Sequence, residues 1–169
     1  MPDRSAPATE QVLLARLASL EIPVTTHRHA AVHTVEENRA LRGNLPGGHC
    51  KSLFFKDKKS ALWLVVTLED RVLDLKALPK FIGSARLSFG KPELLLEALG
   101  VAPGAVTPFA VLNDPQARIA VVLDRLMLDH DPLNYHPLHN EATTAISPAG
   151  LLAFLHACGH EPAILDLGA

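Results

Sequence analysis

The 169-residue sequence predicts one α/β (α+β-like) domain, with a mixed β-sheet flanked by helices over residues 1–169. Three observations carry that prediction. Hydrophobic residues make up 48% of the chain, enough for one sizeable core at a length that defaults to one domain. Strand-like and helix-like patterns are interspersed without a regular βαβ rhythm, which points to a mixed sheet. No internal repeat or low-complexity linker divides the chain.

Residues 1–8 read as a loose N-terminal extension. Val12, Leu13, Ala15, Leu17 and Leu20 lie at helical spacing, which predicts an amphipathic helix over 9–20. Pro23 stops it, and residues 24–29 read as a short strand with β-branched residues. Thr34 and Glu37 have capping-box spacing and open a helix that Gly43 would end. Asn44-Leu-Pro-Gly-Gly48 is a tight loop. Two apolar runs, 50–56 and 61–67, flank the polar Asp57-Lys-Lys-Ser60 and form the best hairpin signal in the chain.

A short helix is expected over 74–82 despite Pro79, then a strand over 86–89. Pro92 and Gly100 bracket a helix over 93–99. Residues 101–108 are a Gly/Pro loop, followed by predicted strands at 109–112 and 118–123. Short strands are expected at 135–138 and 143–146. Ser147 as N-cap and Pro148 in the first turn open a helix to Cys158, and Gly159 ends it before a last strand at 163–167.

Composition excludes several classes. No apolar run approaches the roughly 20 residues of a membrane span. The N-terminus carries no hydrophobic signal segment, so a cytoplasmic location is expected. Two cysteines cannot build a disulfide framework or a four-thiolate zinc site. A net charge of −2 and a pI near 6.5 argue against a protein that coats DNA or wraps a polyanion. The charge is nevertheless segregated. Residues 51–91 hold nine positive charges against four negative, net +5; the remainder holds seven against fourteen, net −7. Such a segment is either a solvated lysine-rich face or a landing site for an anionic ligand.

Familiar catalytic motifs fail. Gly47-Gly-His-Cys-Lys-Ser52 resembles a phosphate-binding loop only superficially, because Cys50 replaces the required glycine and a strand follows. No Gly-x-Gly-x-x-Gly follows a strand, and no Gly-x-Ser-x-Gly elbow is present. His130, His136 and His139 lie near Asp129 and Asp131, but no His-Glu-x-x-His or Cys-x-x-Cys completes a zinc signature. Neither metal nor cofactor is therefore expected. Cys50 and His49 are neighbours along a strand and point to opposite faces, which argues against a nucleophilic pair.

Three clusters remain. Lys51 sits in an apolar strand just after the glycine loop, where its ammonium could meet an anion. Gly104-Ala105-Val106-Thr107-Pro108 is a turn that could present backbone N–H groups. Residues 134–144, Asn-Tyr-His-Pro-Leu-His-Asn-Glu-Ala-Thr-Thr, form a polar, histidine-bearing stretch.

At these positions the chain resembles the YbaK/ProXp-ala family, relatives of the editing insertion domain of bacterial prolyl-tRNA synthetases. The resemblance rests on Lys51-Ser-Leu-Phe-Phe, Gly104-x-x-x-Pro108 with Phe109-Ala-Val-Leu-Asn113, and Val121-Val-Leu-Asp124. His136-Pro-Leu-x-Asn140, Thr143, Thr144 and the closing helix to Gly159-His160 complete it. It runs from about residue 20 to the C-terminus, and the Gly-Ala-Val-Thr-Pro-Phe stretch looks most like the free-standing alanine-specific branch.

The resemblance implies a curved mixed sheet and metal-independent hydrolysis of mischarged alanyl-tRNA(Pro) in trans. Its implied partners are the tRNA(Pro) acceptor end carrying alanine and, transiently, prolyl-tRNA synthetase, but neither a membrane nor DNA. Lys51 would bind the terminal phosphate or ribose, and the Gly104–Pro108 N–H groups would hold the carbonyl and its oxyanion. A ribose hydroxyl or His136 would activate the water, with His136 ranked as a binding group before a base. Arg86 could hold a CCA-end phosphate; Ser52, Asn140, Thr143 and Thr144 are further binding candidates, and Val32, Leu53 and Phe55 would line a size sieve. Two alternatives stay open: a deacylase for cysteine or serine on tRNA, and a nucleic-acid-binding module without catalysis.

Overall fold

A computed structural model describes residues 7–29 and 45–167. The expected helix from Thr34 to Gly43, Asn44 of the tight loop and the sieve residue Val32 lie outside the described residues. Helix α1 (Glu10–Ser19) starts where the Thr9 hydroxyl accepts from the Val12 N–H, and it buries Leu13 and Leu17. Strand β1 (Val24–Arg28) follows Pro23. Strands β2 (Gly48–Asp57) and β3 (Leu62–Leu68) form the expected hairpin, paired from Cys50↔Leu68 to Lys56↔Leu62. Asp57 makes its turn: one carboxylate oxygen accepts from the Lys59 and Ala61 N–H groups at 2.9 and 3.0 Å.

Helix α2 (Leu78–Ile82) is shorter than predicted, with Pro79 in its first turn, where a missing N–H costs nothing. Strand β4 (Leu87–Phe89) and helix α3 (Pro92–Leu99) come next, the helix ended by Gly100 in the left-handed conformation. A 3-10 turn occupies Pro103–Ala105. Residues 109–112 are not the expected strand: Pro108–Asn113 is a second 3-10 helix. Pro108 presets its first φ, and the Thr107 hydroxyl accepts from the Phe109 N–H. Its apolar run is buried in a helical turn, because such short runs fit either periodicity.

Strand β5 (Ile119–Asp124) runs into a third 3-10 turn at Arg125–Asp129. Strand β6 is Leu133–Tyr135, earlier than the expected 135–138. That shift places His136 beyond the strand end. Strand β7 (Ala142–Ile146), helix α4 (Pro148–Ala157) and strand β8 (Ala163–Leu165) close the chain. Among the described residues one mixed sheet has the order β1-β7-β6-β2-β3-β5-β8, with β4 paired to β2. The β2–β6, β3–β5 and β5–β8 pairs are parallel.

The two sheet faces carry unequal cores. The larger packs Leu13 and Leu17 of α1, Leu95 and Leu99 of α3, Phe109, and Leu151 and Phe154 of α4 against Phe54, Leu64 and Val66. The smaller holds Phe55, Val65, Leu78, Val122 and Leu167. Strand β2 is the hinge between the halves. It pairs with β6 only through Gly48↔Leu133 and His49↔Asn134, then diverges to pair with β3 and β4. No described helix is long and apolar enough to cross a membrane.

Candidate active site

The divergence of β2 from β6 opens a small cleft lined by His49, Cys50, Ser52, Val106, Asn134, Tyr135, His136 and Thr143. The glycine loop builds its floor. Gly47 has φ +96°, and a Cβ there would lie 2.1 Å from the Pro132 carbonyl oxygen, so only glycine allows this approach. The Gly48 N–H donates to that oxygen at 2.8 Å. The Asn134 amide nitrogen donates to the Pro46 and Gly48 carbonyls at 3.0 and 3.1 Å, clasping the loop to β6.

His136 leaves the end of β6, and its Nδ1 lies 2.9 Å from the Ala142 carbonyl oxygen. A carbonyl only accepts, so Nδ1 carries the proton there. Burial pushes the imidazole below its ordinary value, with the Ala142 carbonyl and the Glu69 carboxylate opposing. The ring is therefore neutral at pH 7, with an unprotonated Nε2. Thr143 Oγ1 lies 2.8 Å from His29 Nε2, and the His29 and His136 rings meet edge to face at 6.2 Å. Behind the cleft the Tyr135 hydroxyl contacts the Met127 sulfur at 3.2 Å, and burial raises its pKa well above the ordinary value.

Of the residues singled out in the sequence, Ser52, Val106, His136 and Thr143 meet at this cleft. Lys51 lies at its margin. Strand alternation turns its side chain away from Cys50 and Ser52, and its Nζ donates to the Arg71 carbonyl at 2.7 Å. Burial pushes this ammonium down, against the raising effect of the Glu69 and Asp70 carboxylates. Glu69 thus acts on both Lys51 and His136.

The Gly104–Pro108 turn differs from expectation in one respect. The Ala105 N–H donates to the Ala102 carbonyl at 2.9 Å, and Pro108 has no N–H, so neither can serve as an oxyanion donor in this geometry. Val106 alone of the five lines the cleft; Gly104 is exposed, and Thr107 is buried as a helix cap.

Other candidates lie elsewhere. Thr144 faces away from Thr143, its hydroxyl 2.8 Å from that of Thr26. Asn140 sits in the 136–141 loop outside the cleft lining, near His139, whose Nε2 lies 2.6 Å from Glu10. Arg86 precedes β4, which joins the far end of β2, roughly 20 Å from Cys50 at strand rise. Leu53 and Phe55 pack in the smaller core on the opposite face, so they do not form the cleft wall; Val106 and Cys50 do. The polar 134–144 stretch already held Asn134 and Tyr135, whereas nothing in the sequence pointed His29 at Thr143, since that contact depends on the β1–β7 register. Among the described residues, no group of three or more His, Cys, Asp or Glu is placed to hold a metal.

The sequence model of the aminoacyl-tRNA editing domain matches residues 29–154, which include every lining residue of the cleft. The chain belongs to this family. It is 40% identical over 156 residues to the prolyl-tRNA synthetase associated domain-containing protein 1 of Bos taurus, covering 89% of this chain and 91% of that one. It is 35% identical over 159 residues to the prolyl-tRNA editing protein ProX of Acetoanaerobium sticklandii, covering 94% and 97%. A solved structure described as a candidate trans-editing enzyme for prolyl tRNA synthetase superposes with a TM-score of 0.70 at 24% identity, covering 97% and 100%. The fold expected from the sequence is thereby shown, and this editing domain is related to the proteins associated with prolyl-tRNA synthetase.

Proposed function

We propose that this chain hydrolyses mischarged alanyl-tRNA(Pro) in trans. The observation that carries the reading is a small cleft between β2 and β6, walled by Val106 of the Gly104–Pro108 turn, in a chain of the editing family. Water adds to the ester carbonyl, the bond from the carbonyl carbon to the ribose oxygen breaks, and alanine and tRNA with a free hydroxyl leave. The ribose hydroxyl helps activate the attacking water, and neutral His136 binds the aminoacyl group through Nε2. Lys51 positions the terminal phosphate or ribose at the cleft margin once its ammonium exchanges the Arg71 carbonyl for the ligand. Val106 and Cys50 leave room for a methyl side chain. Forcing the extra carbons of proline into a packed wall costs about 1–3 kcal/mol or more, which gives a second sieve after the synthetase's own pocket.

A deacylation panel of alanyl-, cysteinyl-, seryl- and prolyl-tRNA(Pro), run with EDTA present, tests the reading. Alanyl-tRNA(Pro) is expected to decay fastest and prolyl-tRNA(Pro) to be spared. Decay of alanyl-tRNA(Pro) at the buffer rate would refute it. Lys51→Ala is expected to remove at least nine tenths of the activity (~1.4 kcal/mol or more in transition-state stabilisation), and an unchanged rate excludes its positioning role.

A further inference from the structure

The cleft is lined by acceptors rather than cations. None of its eight lining residues is Lys or Arg. The Asn134 amide nitrogen spends both hydrogens on the Pro46 and Gly48 carbonyls. The reversed amide would set its oxygen against two carbonyls, so Oδ1 is the atom left as acceptor. His136 Nδ1–H is spent on the Ala142 carbonyl, which leaves the Nε2 lone pair. The Thr143 hydroxyl is anchored on His29 Nε2 at 2.8 Å, and its oxygen keeps a lone pair whichever partner donates. The Glu69 carboxylate acts on His136 against the His29 and His139 rings, while the Lys51 ammonium turns to the Arg71 carbonyl.

An ammonium group offers three N–H donors, no acceptor and a positive charge. We infer that Asn134 Oδ1, His136 Nε2 and Thr143 Oγ1 form a subsite for the α-ammonium of the aminoacyl ester, so that the cleft takes only esters with an unblocked amine. The inference rests on the aminoacyl-ester reading above and deepens it, because it states what the site demands besides a small side chain. Blocked chains, such as peptidyl or N-acylated esters on the same RNA end, keep a single N–H, lose the charge and are left intact.

The test compares alanyl-tRNA(Pro) with lactyl-tRNA(Pro), in which a hydroxyl replaces the ammonium at nearly equal size. Each enzymatic kcat/KM is divided by the spontaneous hydrolysis rate of the same ester, because the ammonium itself activates an ester. The normalised value is expected to fall about 10- to 100-fold for lactyl-tRNA(Pro), the span of hydrogen bonds to a charged group. In His136→Phe the ratio should shrink toward unity, with the alanyl ester losing more than the lactyl ester. Equal normalised values in the wild type, or a ratio unchanged in the variant, overturn the inference. If neither ester is hydrolysed, the deacylase reading falls, and binding decides the subsite separately. A non-hydrolysable 3′-alanylamido-adenosine that binds at least tenfold tighter than its lactylamido analogue supports the amine subsite, and equal Kd values overturn it.

Discussion

His136 follows ordinary histidine chemistry altered by its place in the fold. Its folded pKa lies below the ordinary 6.5 chiefly because burial penalises the charged ring. Between the lowered value and 6.5 the unfolded chain therefore binds more protons than the folded one. Stability from this group is full above about pH 6.5 and is lost as pH falls toward the lowered value. The urea midpoint is expected to drop between pH 7.5 and 5.5, and His136→Gln should flatten that drop; parallel pH profiles for the two proteins would contradict the assignment. Deacylation by the wild type should fall at lower pH still, as the folded ring itself takes up a proton at its lowered pKa and loses the Nε2 lone pair. At this scale the sequence was a partial guide. It marked His136 and Thr143 by composition, but it grouped Thr144 with them, and alternation along β7 sends that hydroxyl to Thr26 instead.

At the scale of elements, the glycine loop before β2 decides whether the cleft forms. A methyl on Gly47 would meet backbone, the Pro132 carbonyl, at 2.1 Å, so Gly47→Ala must push β2 away from β6 and disturb the Asn134 clasp. The left-handed φ alone costs about 1–2 kcal/mol, and the clash adds to it. Urea unfolding should show a loss of about 2 kcal/mol or more together with collapsed deacylation. Gly83→Ala serves as the control: φ is +78°, nothing lies within 4 Å, and activity should survive. Loss of activity in both variants would detach the effect from the cleft. The β2–β3 hairpin was legible because its apolar runs and polar turn have strand periodicity. The run 109–112 misled because four apolar residues suit a strand or a buried 3-10 turn equally.

At the scale of the whole molecule, two features join parts that are distant in sequence. One is the buried contact of His160 Nε2 with Asp114 at 2.9 Å, where His160 Nδ1 also faces the Cys158 carbonyl at 3.1 Å. Asp114 also accepts from the Arg118 and Ile119 N–H groups, so the pair ties the end of α4 to the start of β5. Removing the imidazole leaves buried Asp114 with its backbone donors alone, and His160→Ala is expected to cost about 1–3 kcal/mol, read as a lowered Tm. A Tm within 2 °C of wild type, a shift worth at most about 1 kcal/mol, would refute that role. The other feature is charge. The +5 of residues 51–91 sits on a body that is otherwise −7, which suits contact with one end of an RNA rather than with its whole length. A hairpin comprising only the acceptor stem and CCA end, charged with alanine, should match full tRNA(Pro) within about tenfold in kcat/KM. A much larger deficit would mean that the protein reads the rest of the tRNA. Composition, periodicity and local caps determined one domain, most helices and strands, and the charged segment, because these depend on neighbours within a few residues. The tertiary structure alone decided which of those residues share a cleft. Pairing register and the divergence of β2 from β6 bring Ser52, Val106, His136 and Thr143 together, turn Lys51 to the margin and leave Arg86 at the far end of the strand. A one-residue change in register exchanges the faces of a strand, and no local pattern encodes that choice.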